Sequence, residues 1–244
     1  MFVMIGILVG CSRITEPVTI GDLAYDANKR FGYTVYIKEE GFEPYFVISS
    51  NYDGHALLLR KYLLDDTMPF NENERHMWAS WEYGGYYEDS SIDSFLNTNF
   101  IDTLNQTVKE YIVSSNIIIT AKSSLGVTGT ETTAISRKIF LLSLKELYGT
   151  KMYTSATEGN TLKYFRDDYS RRSTIFKNEE KSAYWTRTPE TWETCMVFTI
   201  GSKGIGAGGT DIQSGVRPAF CVSSDEHITQ RDDIIPDEIV YVLE

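Results

Sequence analysis

Apolar and polar positions alternate with a period of two through Tyr33-Thr34-Val35-Tyr36-Ile37, and short apolar runs recur at Tyr45-Phe46-Val47-Ile48 and Ala56-Leu57-Leu58-Leu59. Turn residues bound each run: Glu39-Glu40-Gly41 after the first, and Asn51-Tyr52-Asp53-Gly54 after the second. The pattern predicts an antiparallel meander of three strands. Asp53-Gly54 supplies the positive φ that a tight hairpin turn needs.

The period changes after residue 90. Ser90-Ser91-Ile92-Asp93-Ser94-Phe95-Leu96-Asn97 begins with capping residues and places Ile92, Phe95 and Leu96 on one helical face. A second helix is expected over residues 105–113, with Leu104, Val108, Tyr111 and Ile112 turned inward. Residues 116–120 return to strand. Residues 123–136, rich in Gly, Ser and Thr, read as a flexible loop. Ile139-Phe140-Leu141-Leu142 reads as a buried strand, and Ser143-Leu144-Lys145-Glu146 as a capping box opening a short helix that Gly149 stops.

The last third opens with Tyr184-Trp185-Thr186-Arg187-Thr188-Pro189 and closes with Gly215-Val216-Arg217-Pro218-Ala219-Phe220. A strand-like run from Cys195 to Ile200 and a glycine-rich loop lie between them. Strands and helices mix without a βαβ rhythm. The predicted fold class is therefore α+β, a compact domain of antiparallel strands with two to four short helices. It is expected to fill residues 12–222, followed by an acidic extension or edge strand over residues 223–244.

Aromatic residues make up 13% of the 244-residue chain, which favours strands and supplies ring faces for a binding surface. The formal charge of −11 repels phosphate backbones, so nucleic acid is not an expected partner. The nearest thing to a basic patch is Arg166, Arg171 and Arg172, which the neighbouring Asp167 and Asp168 dilute into a solvated loop.

The N-terminal run Phe2 to Gly10 is apolar and ends at Cys11. It is too short to span a bilayer as a helix. Leu8-Val9-Gly10-Cys11 fits a bacterial lipoprotein signal over residues 1–11, with Cys11 lipidated and the protein exported and anchored at the cell surface. Against this, no Lys or Arg precedes the apolar run. A buried first strand with a core cysteine is the alternative, with the protein cytoplasmic or associated with a virion. Cys195 and Cys221 are left over, as a disulfide or as two reduced core thiols.

Candidate chemistry is sparse. Gly204-Ile205-Gly206-Ala207-Gly208-Gly209 matches a dinucleotide-binding string, but no helix is expected after it to meet a phosphate, so a mobile hairpin loop is the better reading. His55, His76 and His227 lack metal-ligand spacing, and no cofactor is expected. The acids Asp65, Asp66, Glu72 and Glu74 suit calcium less well than they suit solvent. No nucleophile elbow or zinc-hydrolase motif occurs.

The best binding candidates are the aromatics Trp78, Trp81, Tyr83 and Tyr86, joined by Trp192 in the loop after Pro189. Trp185, Arg187, Pro189, Arg217 and Pro218 read as scaffold, because a long charged side chain is buried only when paired.

The two C-terminal motifs, taken with the apolar runs of the meander, the Ser-Ser-Ile-Asp-Ser-Phe-Leu-Asn segment and Lys138-Ile139-Phe140-Leu141-Leu142-Ser143, resemble a bacterial and prophage domain of unknown function numbered 6273 over residues 18–222. Through the last third, that family is similar to the C-type-lectin-like fold of formylglycine-generating-enzyme-type domains and of the variable proteins of diversity-generating retroelements. The resemblance implies a C-type-lectin-like domain whose C-terminal loops present a ligand surface. The close cysteine pair of the formylglycine-generating enzymes has no counterpart here, so their activity is not implied. A non-enzymatic surface or phage-associated protein recognising a carbohydrate or a protein is the expected function. An enzyme of glycan or protein modification on the same scaffold, and a structural module of a surface or virion assembly, are the alternatives. Any membrane contact would come only through the lipid anchor.

Overall fold

The structure is a computed structural model that describes residues 17–26, 33–72, 84–149 and 155–244. Its main sheet begins as the hydrophobic pattern predicts. β1 (Thr34–Lys38), β2 (Phe42–Tyr52) and β3 (His55–Arg60) pair antiparallel in order. Asp53 and Gly54 turn the second hairpin with φ of 50° and 86°. Short helices α1 (Ile20–Leu23), α2 (Ser91–Phe95) and α4 (Gln106–Tyr111) follow capping residues, with Ser90 accepting from the Asp93 amide and Asn105 from that of Thr107, while α3 (Ile101–Thr103) has no side-chain cap. A π-helical stretch, Leu96–Phe100, joins α2 to α3. The predicted second helix stops early, and its end becomes the strand β4 (Ile112–Val113).

The remaining strands are β5 (Ser115–Thr120), β6 (Thr132–Arg137), β7 (Ile139–Phe140), β8 (Tyr184–Pro189), β9 (Met196–Gly201), β10 (Gly204–Gly209), β11 (Ala219–Val222), β12 (Thr229–Ile235) and β13 (Glu238–Leu243). The main sheet runs β12-β13-β1-β2-β3-β11-β4, with β7 also pairing β11. It is mixed: β13 lies parallel to β1, with Tyr36 opposite Val242. β4 and β7 share one edge of β11 end to end, β4 meeting Cys221 and Val222 and β7 meeting Ala219 and Phe220. Two smaller sheets complete the fold, β10-β9-β8 and β5-β6. One buried cluster runs through them, including Leu57 and Leu59 of β3, Phe220 of β11, Trp185 of β8 and Val197 of β9.

This corrects the predicted fold class. The chain is mostly β, with 39% of residues in strands and 20% in helices, and its main sheet curls into a half-barrel. It is not the α+β, C-type-lectin-like domain expected from sequence. The helices of that expectation form, but they are one or two turns long, and segments read as loops are strands. Residues 132–137, all but the last inside the predicted flexible loop, pair along β5 from Ser115 opposite Arg137 to Thr120 opposite Thr132. The glycine-rich string is β10, paired residue for residue with β9. In both cases a neighbouring strand offering hydrogen bonds overrides local composition. A Cβ on Gly208 would sit 2.5 Å from the end of the Ile212 side chain, which would have to shift.

Helix α5 (Leu144–Tyr148) shows why the capping box matters to the core. Ser143 accepts from the Glu146 amide, Glu146 accepts from the Ser143 amide, and Gly149 closes the helix with φ of 73°. The buried Ser143 hydroxyl also donates to the Glu158 carbonyl at 2.6 Å. Ser143→Ala would remove the cap and leave that carbonyl without its hydroxyl donor. The expected loss is about 1–2 kcal/mol, measured as a shift in denaturant midpoint.

Candidate functional site

One cleft lined by described residues encloses about 1170 Å³. Its walls come from the chain just after β3, the end of α5, helix α6 (Lys163–Asp167), the turn Tyr169–Arg172 and the hairpin between β9 and β10. The Tyr169–Arg172 turn is fixed from sequence upward. Asp168 caps it, accepting from the Ser170 amide at 2.9 Å and the Ser170 hydroxyl at 2.7 Å. Those bonds hold the Asp168 carboxyl below its ordinary range, with Arg171 adding to the effect.

The turn delivers two arginines onto tyrosine rings. The Arg171 guanidinium lies 4.6 Å from the ring centre of Tyr25, 4.7 Å from Tyr164 and 5.7 Å from Tyr33, and it donates to the Tyr164 carbonyl. Arg172 sits 3.8 Å from the Tyr169 ring centre and 4.1 Å from that of Tyr148, donating to the carbonyls of Leu147 and Phe165. Cation–π contacts of this kind hold a guanidinium in place without neutralising it. Arg217 comes from behind. Its Nε donates to the Arg60 carbonyl and its Nη1 to that of Arg171, while Tyr184 donates to the Arg172 carbonyl. Burial lowers the Arg171 pKa, and the tyrosines around it more than restore it, so the group stays charged.

Arg171 and Arg172 therefore depart from the solvated loop read from sequence. Only Arg166 of that trio is exposed. The signal that could have found the cleft is the run Tyr169-Ser170-Arg171-Arg172, with Tyr164 just before it.

The sequence-predicted aromatics fall elsewhere. Trp78, Trp81 and Tyr83 lie outside the described residues, as do Cys11, His76 and Glu74. Tyr86 is buried, its hydroxyl donating to Glu88. Trp192 is 54% exposed, its indole N–H on Glu190, and it does not line the cleft. The motif residues Trp185, Arg187, Pro189, Arg217 and Pro218 are all buried. Gly215 of the second motif has no room for a side chain, since a Cβ there would meet Leu63 at 2.6 Å and the Ala183 carbonyl at 3.0 Å.

A second cleft, of about 630 Å³, is acidic, with Glu39, Glu40, Glu43, Asp65, Asp66 and Glu72 in its lining. Its one arginine, Arg60, is committed to Glu39 at 2.9 and 3.2 Å. Among the described residues, no group of three or more His, Cys, Asp or Glu side chains is placed to hold a metal ion. No described helix is long and apolar enough to cross a membrane.

Groups with reactive potential lie away from the larger cleft. Cys195 and Cys221 are both buried, with no disulfide between them. Burial pushes the Cys221 thiol up to about 12, which leaves it unreactive. Glu158 is raised to about 7 by burial, against the opposing pull of Arg187 and of its bonds to Thr188 and Thr120. It lines neither cleft. The described lining of the larger cleft holds no His, Cys or Glu, and its one acid, Asp168, is committed to Ser170 and Arg171.

No curated protein and no solved structure matches the chain. A family model does match, over residues 53–224, a stretch that takes in β3 through β11 and so the buried motifs and the cleft's arginines, though not Tyr33 and Phe46 of its lining. On that match, the chain belongs to the family described as domain of unknown function DUF6273.

Proposed function

We propose that the protein is a non-enzymatic binding protein, and that the tyrosine-arginine cleft is where it recognises a carbohydrate or protein ligand. The observation that carries this reading is a roomy cleft whose Arg171 and Arg172 are held on tyrosine rings and whose described lining offers no paired nucleophile and base. A preorganised set of donors lowers the entropic cost of binding. On this reading Cys11 is the acylation site that holds the protein at a bacterial surface, and Cys11→Ser releases it from the membrane fraction.

The test is a screen of glycans and candidate proteins with the wild type, Tyr169→Ala and Trp192→Ala. Tyr169 is an exposed ring on the cleft, and Trp192 is an exposed ring off it. Tyr169→Ala should weaken the captured ligand roughly tenfold or more while changing stability by less than about 1 kcal/mol, and Trp192→Ala should leave binding intact. Chemical turnover of a ligand, or equal binding by Tyr169→Ala, would contradict the proposal.

A further inference from the structure

We infer that the ligand of this cleft is an acidic oligosaccharide, one carrying carboxylate or sulfate groups along its length. The inference rests on the cleft being the binding site and narrows what fills it.

The chain carries 34 acids against 23 Lys and Arg, yet the cleft lining reverses the balance, with six cations and the single acid Asp168. Lys61, Lys181 and Lys203 stand on the lining without a carboxylate partner among the described residues. A positive cleft on a negative protein concentrates the favourable potential for an anion in one place.

Arg60, Arg137, Arg166, Arg171, Arg187 and Arg231 each have a carboxylate within 4 Å. Among the described residues, Arg172 and Arg217 have none, although they are only 5% and 3% exposed. A buried charge is costly unless it is paired. Carbonyls and ring faces offset part of that cost, but they leave the positive charge at the cleft wall uncancelled. A carboxylate or sulfate of the ligand, held in the cleft beside these two arginines, offsets that charge through space.

The hydroxyls of Ser170, Ser173 and Ser202 lie among the cations, and the volume exceeds the roughly 300–1,000 Å³ typical of single small-molecule sites. The cleft therefore has room for several hydroxyl-rich units. Its lining comes largely from side chains on turns, which suits such units better than the strand-edge pairing an extended peptide uses.

The experiment is calorimetric titration of the full chain with hexagalacturonate, its neutral methyl ester, a chondroitin sulfate hexasaccharide and hexaglutamate. The variants are Lys181→Glu/Lys203→Glu and, as a control off the cleft, Lys38→Glu. The expected result is binding of one or both acidic hexasaccharides that falls with salt. The double variant should weaken it about tenfold or more, and Lys38→Glu should leave it unchanged. The methyl ester and hexaglutamate should bind at least about tenfold more weakly than hexagalacturonate. If the methyl ester binds as tightly, or hexaglutamate more tightly, the acidic-glycan inference fails while the cleft remains a binding site. The same holds if neither acidic hexasaccharide binds but the screen above yields a ligand lost in Tyr169→Ala. If neither experiment yields a ligand, both the inference and the reading beneath it fail.

Discussion

Arg187→Met should lower the stability of the fold by about 3–5 kcal/mol, seen as a large drop in denaturant midpoint. Arg187 and Glu146 are both 0% exposed and face each other through two bonds, 2.7 Å from Nη2 to Oε1 and 2.9 Å from Nη1 to Oε2. The remaining Arg187 donors reach the carbonyls of Ile118 and Leu141, so one side chain ties together β5, the segment after β7 and α5. Burial pulls the guanidinium pKa down, and Glu146 more than restores it. Removing the arginine strands a carboxylate whose other donors are the Tyr52 hydroxyl and the Ser143 amide. Replacing both partners, as Arg187→Met/Glu146→Leu, should recover part of the loss, since no lone charge remains. A loss below about 1 kcal/mol in the single variant would show that the pair does not support the fold.

The second large effect is pH dependence from Glu158. Its folded pKa of about 7 stands above the ordinary value of 4.5. The fold therefore favours the protonated form. The stabilisation is complete below about pH 4.5 and is lost as pH rises through 7. The gap corresponds to roughly 3 kcal/mol. Glu158→Gln removes the titration, so its stability difference between pH 5 and pH 8 should be smaller than that of the wild type by most of that amount. Parallel pH profiles for the two proteins would overturn this account, whatever other groups contribute in both.

Local signals were legible in the sequence. The alternation of residues 33–37, the Asp53-Gly54 turn and the Ser143–Glu146 box each depend on neighbours within four residues, and each forms. Long-range pairing was not legible. Nothing in Gly204-Ile205-Gly206-Ala207-Gly208-Gly209 announces a strand, because the hydrogen bonds that make it one belong to β9. The acidic C-terminal residues likewise hide that β13 inserts between β1 and β12. For the cleft, composition misled. Asp167 and Asp168 make the arginine run look neutral, whereas in three dimensions Asp168 caps a turn and Arg172 has no carboxylate partner among the described residues. The sequence marks Arg187 as a residue in need of partners, but its partner lies 41 positions away.

Glu146 serves two structures at once: it closes the first turn of α5 and it neutralises an arginine on β8. Losing the helix would therefore strand a charge on the strand, and undocking the strand would strand one at the helix. The two elements should open together as one cooperative unit, with amides of α5 exchanging at the same free energy as those of β8 despite the helix being barely a turn long.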